Sequence, residues 1–281
     1  MNAIHFTICL LISCFNIHQQ DGATFIRLNQ KILFDQFHYN RESITINLND
    51  AHIESVDPKT FALNYCLEWL VLANNKINHL DPETFSGLIQ LKQIWLSDNQ
   101  LVKLESGLLN ELKNLRVLYF HSNQISQIEE TALHGLVNLQ ELHLDNNQIS
   151  MIHPDTFVDL INLQRLDMSG NIIHQVNANL FRNLINLKFL NLESNDIKRF
   201  DSNALVNLKN LELVCMWNNP VSSFDFNTVA GICANNQKCA VKSDETCLSS
   251  TLAATASHLN SSIPIIFFSI YFYFTLCITN H

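Results

Sequence analysis

Leucine recurs at positions 67, 91, 115, 139, 163, 187 and 211, six consecutive intervals of 24 residues without an insertion. Three positions after each stands an aliphatic residue (Leu70, Ile94, Leu118, Leu142, Leu166, Leu190, Val214), and five after it an apolar one, from Leu72 to Met216. Eight positions after it stands asparagine: Asn75, Asn99, Asn123, Asn147, Asn171, Asn195 and Asn219. Two further on an aliphatic closes the motif, from Ile77 to Val221. A fixed period of this length means one short unit built repeatedly and stacked, because a single unit cannot bury its own apolar edge. The alternating apolar positions at the start of each unit have the period of a strand with one face in a core, and stacked neighbours pair such strands into a parallel sheet. The asparagine falls where the strand ends and the chain turns inward. Its amide can both donate to and accept from backbone groups left there without partners, so the seven are expected to form a structural ladder.

A second apolar series follows 18 positions behind the leading residue: Phe61, Phe85, Leu109, Leu133, Phe157, Phe181 and Leu205. Segments such as DPETF, 81 to 85, and HPDTF, 153 to 157, should form turns or short helices on the return side, where proline sets its own φ. The L-x-x-L-x-L-x-x-N-x-I pattern resembles the leucine-rich repeat family in its typical 24-residue extracellular subtype. The resemblance covers 43 to about 221, eight repeats of which the first is degenerate: SITINLNDAHI, 43 to 53, has Ser43 and Ala51 where leucine and asparagine stand elsewhere. It implies an α/β solenoid, a right-handed arc with a parallel β-sheet on the concave face and loops or short helical turns on the convex face.

Both ends read as addresses. Residues 3 to 15, AIHFTICLLISCF, form an apolar run suited to a secretory signal, taken as residues 1 to 20. At the other end IPIIFFSIYFYFTLCI, 263 to 278, follows small residues and a polar spacer, so 249 to 281 matches a glycosylphosphatidylinositol attachment signal that is removed; a short transmembrane helix is the alternative. The expected localisation is the outer cell surface, held by the lipid anchor, with secretion as the alternative. Residues 21 to 42 would cap the solenoid without cysteines, holding by packing alone, although many extracellular family members have cysteine-rich caps at both ends. Residues 222 to 248 would close the other end with a cysteine-containing cap.

Of eight cysteines, Cys9 and Cys14 fall in the signal and Cys277 in the tail. In an oxidising compartment Cys215, Cys233, Cys239 and Cys247 could form two disulfides, with three connectivities open. Cys66 is left over, either buried as a small inert residue or available for an intermolecular bond.

Recognition by a solenoid lies on what its strands project outward. Neighbouring strands sit about 4.8 Å apart, so equivalent positions of successive repeats are lateral neighbours. One zone is aromatic and apolar, with Trp69, Trp95, Val117 and Tyr119; a second is polar, with His121, Glu141, His143, Asp145, Arg165 and Asp167; beyond it come Phe189 and Trp217. Exposed large aromatics beside charges suit docking of an extracellular protein or glycan. These twelve side chains are the candidate partner-binding residues. A solvated wall that merely packs against itself is the alternative.

Other classes are disfavoured. Six glycines and no phosphate-cradling motif argue against nucleotide binding, and a net charge of −9 argues against nucleic acid. No metal or cofactor is expected, because an open parallel sheet should hold Tyr119, His143 and Asp167 side by side rather than converging within zinc-bonding distance. No catalytic residue is assigned, since a shallow face offers no oxyanion partner or exclusion of water. The expectation is a cell-surface recognition protein acting in adhesion, patterning or innate immune recognition, as related surface proteins do. A secreted matrix protein or soluble immune factor is the alternative. Many family members pair through faces or flanks, so a homodimer or co-receptor complex stays open.

Overall fold

The structure is a computed structural model that describes residues 26–221 and, for the backbone, 240–242. Eight short strands carry the arc: Thr45–Asn47, Trp69–Val71, Gln93–Trp95, Val117–Tyr119, Glu141–His143, Arg165–Asp167, Phe189–Asn191 and Leu213–Cys215. They pair in parallel in chain order, and Ala240–Lys242 adds a ninth strand beside the last repeat. The register repeats with the sequence, as in Trp69↔Gln93, Gln93↔Val117 and Glu141↔Arg165, so each residue faces its equivalent 24 positions on. A one-residue slip would turn every leucine to solvent, which is why the phase is rigid.

Inside the arc the leading leucines and those three and five positions on are fully or almost fully buried, each contributing about 1.5–3 kcal/mol of transfer free energy. The second spine is also buried, with Phe61 stacked on Phe85 at 6.5 Å and Phe157 on Phe181 at 6.3 Å. The return side is mostly turns rather than helices. Among the described residues beyond the N-terminal cap, its regular pieces are two parallel strand pairs, Lys103–Leu104 with Gln127–Ile128 and Gln175–Val176 with Arg199–Phe200, and one 3₁₀ helix, Ser202–Leu205.

The asparagine ladder has the expected position and a definite wiring. Asn147 donates to the carbonyls of Phe120, Leu144 and Asp145 at 3.0–3.1 Å and accepts from the Ile125 N–H at 2.9 Å. Asn99, Asn123, Asn171, Asn195 and Asn219 repeat this pattern, and Asn75 accepts from both Ala51 and Ile53. Every amide therefore spans two repeats. A second, exposed amide row lies just before the leading leucines: Asn114, Asn138, Asn162, Asn186 and Asn210 each donate to a carbonyl 25 residues earlier, at 2.8–2.9 Å. Cys66 occupies the equivalent place; it is free and partly exposed rather than buried.

The residue before each ladder asparagine has positive φ, between 50° and 63°: Asn74, Asp98, Ser122, Asn146, Gly170, Ser194 and Asn218. Asparagine, aspartate and glycine tolerate this left-handed turn best, which accounts for the types found there. At Gly170 a Cβ would also come within 2.5 Å of the Asn146 side chain.

The N-terminal cap departs from expectation. Its strand Ile26–Leu28 pairs with Ile53–Val56 in a separate two-stranded sheet, and its helix Gln30–Asp35 is N-capped by Asn29, whose side chain accepts from Ile32 N–H at 3.0 Å. Leu28 and Leu33 enter the core. Hydrogen bonds join packing in holding the cap: the Tyr39 hydroxyl accepts from Asn47 N–H and donates to Asn47 C=O, both at 2.8 Å, and Asn64 donates to Asn40 C=O at 2.7 Å. The expected signal at 1–20 and the attachment segment at 249–281 lie outside the described residues, as does all of the C-terminal cap except the backbone of 240–242. Cys215 is buried and disulfide-bonded. Cys233, Cys239 and Cys247 lie outside the described residues. Among the described residues no helix is long and apolar enough to cross a membrane.

Candidate functional site

Strand alternation fixes which side chains reach the concave face, because residues flanking the buried Leu70, Ile94, Leu118, Leu142, Leu166 and Leu190 must point the other way. All twelve expected residues stand in these outward rows, but the two zones are not separate. Trp95 stacks on Tyr119 with ring centres 5.7 Å apart, and Tyr119 stacks in turn on His143 at 4.6 Å. Three rings on three adjacent strands form one continuous pile, with His121 edge-on to Tyr119 at 6.0 Å. Trp69 lies under the Lys92 ammonium at 5.8 Å, and the Arg165 guanidinium lies 4.0 Å over Phe189. Val117 and Trp217 are half-buried in their rows.

Burial corrects the reading of the polar zone as fully presented. Trp69, Trp95, Tyr119, His121, Glu141, Asp145 and Phe189 are partly exposed, but His143, Arg165 and Asp167 are between 5% and 8% exposed. Asp167 is tied down by the Ser169 hydroxyl at 2.7 Å and the Asn191 amide at 3.2 Å. Asn191 and Glu193, both buried, complete this polar floor. Sequence reasoning passed over Ser169, Asn191 and Glu193 although they occupy the same outward series. The signal was there: polar residues succeed one another laterally across three strands. The Arg165 Nε is buried without a hydrogen-bond partner, a costly arrangement for a charged donor.

The electrostatics follow from this crowding. Burial, then the Asp167 charge, push the Asp145 carboxyl up to about 6 against the pull of His143. Burial holds the His121 imidazole below its usual value, opposed mainly by Asp98, whose carboxylate is 3.8 Å away. Burial and the Glu141 charge keep the Tyr119 hydroxyl protonated far above its ordinary range. Donor atoms of His143, Asp145 and Asp167 lie within 4.8 Å of one another. Among the described residues, one surface cleft is lined by Asn171, Ser194 and Asn218 and another by Lys92, Asn114 and Arg116.

The sequence pattern described as "Leucine rich repeat" matches five overlapping windows, 45–101, 89–149, 113–173, 137–197 and 162–221. The chain belongs to the leucine-rich repeat family. Among solved structures, this leucine-rich repeat protein is similar to a chain in the Toll–Spatzle complex, described as a molecular hub in Drosophila development and innate immunity. Identity there is 22% and the TM-score 0.54, over 66% of this chain and 28% of that one. The glycosylated form of that complex gives 19%, 0.59, 77% and 33%. An internalin from Listeria monocytogenes gives 25% identity and a TM-score of 0.56, over 70% of this chain and 53% of that one. This leucine-rich repeat chain thus spans between about a quarter and half of the length of these relatives. No curated protein matches it.

Proposed function

We propose that this leucine-rich repeat protein is an extracellular recognition module that docks a protein partner on its concave face, with no catalytic step. One observation carries the reading: a preformed stack of Trp95, Tyr119 and His143 adjoins a buried guanidinium, Arg165, whose Nε has no hydrogen-bond partner. Rigid aromatics lose little entropy on binding, and aromatic and arginine side chains carry most energy at protein interfaces. An unmet arginine donor beside them favours a partner that brings a carboxylate or carbonyl oxygen. Similarity to a chain of the Toll–Spatzle complex, a molecular hub in Drosophila development and innate immunity, supports a patterning or immune setting. Presentation at the outer cell surface through a glycolipid anchor, or secretion, completes the proposal. Disulfides from Cys215 to one of Cys233, Cys239 and Cys247, and between the remaining two, belong to it as well.

The test is capture of partners from intact cells by the purified chain and by its Trp95→Ala and Tyr119→Ala forms. Recovery of one protein by the wild type, reduced tenfold or more by both substitutions, is expected; equal recovery by all three would remove the concave face from the proposal. Phosphatidylinositol-specific phospholipase should release the protein from expressing cells, and retention would refute the anchor.

A further inference from the structure

The structure assigns a divalent cation site to His143, Asp145 and Asp167, and we propose that its ion is zinc. The three side chains come from two adjacent repeats, His143 and Asp167 on paired strands and Asp145 just past the first of them, and one donor atom of each lies within 4.8 Å of the others. Tetrahedral zinc needs such atoms about 3.4 Å apart, given bonds of about 2.0–2.2 Å, so small side-chain rotations close the gap. Charge calls for an ion there: two crowded carboxylates have no lysine or arginine partner among the described residues, and His143 and Asp167 are only 5% and 6% exposed. The imidazole also points to a ligand. His143 is almost wholly buried, and its hydrogen-bond contact among the described residues is Nε2 with Glu141 Oε2 at a long 3.5 Å, which leaves its other ring nitrogen open to an ion.

The surroundings are built as metal sites are. Glu141 on one imidazole nitrogen fixes which nitrogen is left to bind, Tyr119 stacked at 4.6 Å fixes the ring plane, and Ser169 and Asn191 hold the Asp167 oxygens. One imidazole with two carboxylates suits zinc better than calcium or magnesium, which take oxygen alone. Zinc with this set is also charge-neutral. A second acidic cluster, Glu130, His153 and Asp155, differs: it is more exposed, Arg182 already pairs with Asp155, and His153 accepts from Asp155 N–H at 3.2 Å. With three protein donors, zinc keeps a fourth position for water or an incoming oxygen. On the docking reading above that oxygen would be the partner's, a consequence resting on that reading, whereas zinc uptake by the free chain does not.

Chelator-treated full-length protein titrated calorimetrically with ZnCl2 should take up one equivalent. Asp145→Asn and Asp167→Asn should each weaken uptake tenfold or more, and His153→Ala should leave it unchanged. His143→Ala should behave as the aspartate variants do, but because His143 also stacks on Tyr119, the isosteric Asp145→Asn carries the test if that variant fails to fold. Co2+ in place of zinc should give the intense visible bands of a low-coordinate site. Absence of saturable uptake near one equivalent, wild-type affinity in Asp145→Asn and Asp167→Asn, loss of uptake in His153→Ala, or preference for Ca2+ would each overturn the assignment.

Discussion

Two rows of asparagines cross-link this solenoid with the same chemistry, a side-chain amide donating to a backbone carbonyl of the preceding repeat, and they differ in where they lie. The inner ladder is buried or nearly so and each amide also accepts from a backbone N–H; the outer row is mostly exposed and donates once. An inner amide has no solvent substitute, so its loss strands a buried backbone N–H in the core, whereas water can replace an outer one. Burial rather than bond count should decide what each is worth.

The sharpest test is a matched pair. Asn147→Ala strands the Ile125 N–H, while the Phe120, Leu144 and Asp145 carbonyls keep the Asn123 amide, the Asn171 amide and the Ser122 N–H as donors; denaturant unfolding should show a loss of about 1–3 kcal/mol. Asn162→Ala, which removes a bond to the exposed Val137 carbonyl, should cost at most about 1 kcal/mol, and equal losses for the two would break the comparison.

Carboxylates extend the contrast at intermediate size. Asp145, crowded on the concave side, is pushed up to about 6, so the folded metal-free protein binds a proton that the unfolded chain releases, and stability should rise as pH falls from 7 towards 5. Asp145→Asn should flatten that rise and add about 1 kcal/mol at pH 7, after discounting for partial exposure. Glu129, at the solvent, is pulled down to about 2 by Lys103 at 2.5 Å and by Ser106 N–H. Its contribution is present above its unfolded value and lost as pH falls towards 2, so Glu129→Gln should lower stability slightly at neutral pH and leave it unchanged at about pH 2. The smallest effect belongs to the left-handed turn. Ser122→Asn, better suited to φ of 55°, should raise thermal stability by about 0.5 kcal/mol.

The fold was legible because repetition multiplies weak signals: Leu67 alone says little, but seven equally spaced leucines with Asn75 to Asn219 in phase dictate stacking, register and the ladder. The N-terminal cap was not, since it occurs once and pairs Ile26–Leu28 away from the main sheet. At the candidate site, the rows were legible from strand alternation, but depth was not. Whether Arg165 and Asp167 stand in solvent or lie down depends on what their lateral neighbours offer, a ring at Phe189 and an amide at Asn191. Convergence of His143, Asp145 and Asp167 depends on side-chain torsions that no spacing rule contains. The residue types of the outer asparagines and of the left-handed positions before the ladder were visible in the repeats, but their roles were not, because neither position is apolar.

The Tyr39 hydroxyl has a wider consequence. A parallel sheet offers unmatched amide and carbonyl groups at its first strand, a template on which another extended chain can grow. One phenolic oxygen, donating to and accepting from Asn47, closes that template at the residue where it would otherwise be open. Tyr39→Phe would keep the ring packing and uncork the edge, and the change to watch is then not unfolding but self-association: end-to-end polymers that lengthen with protein concentration.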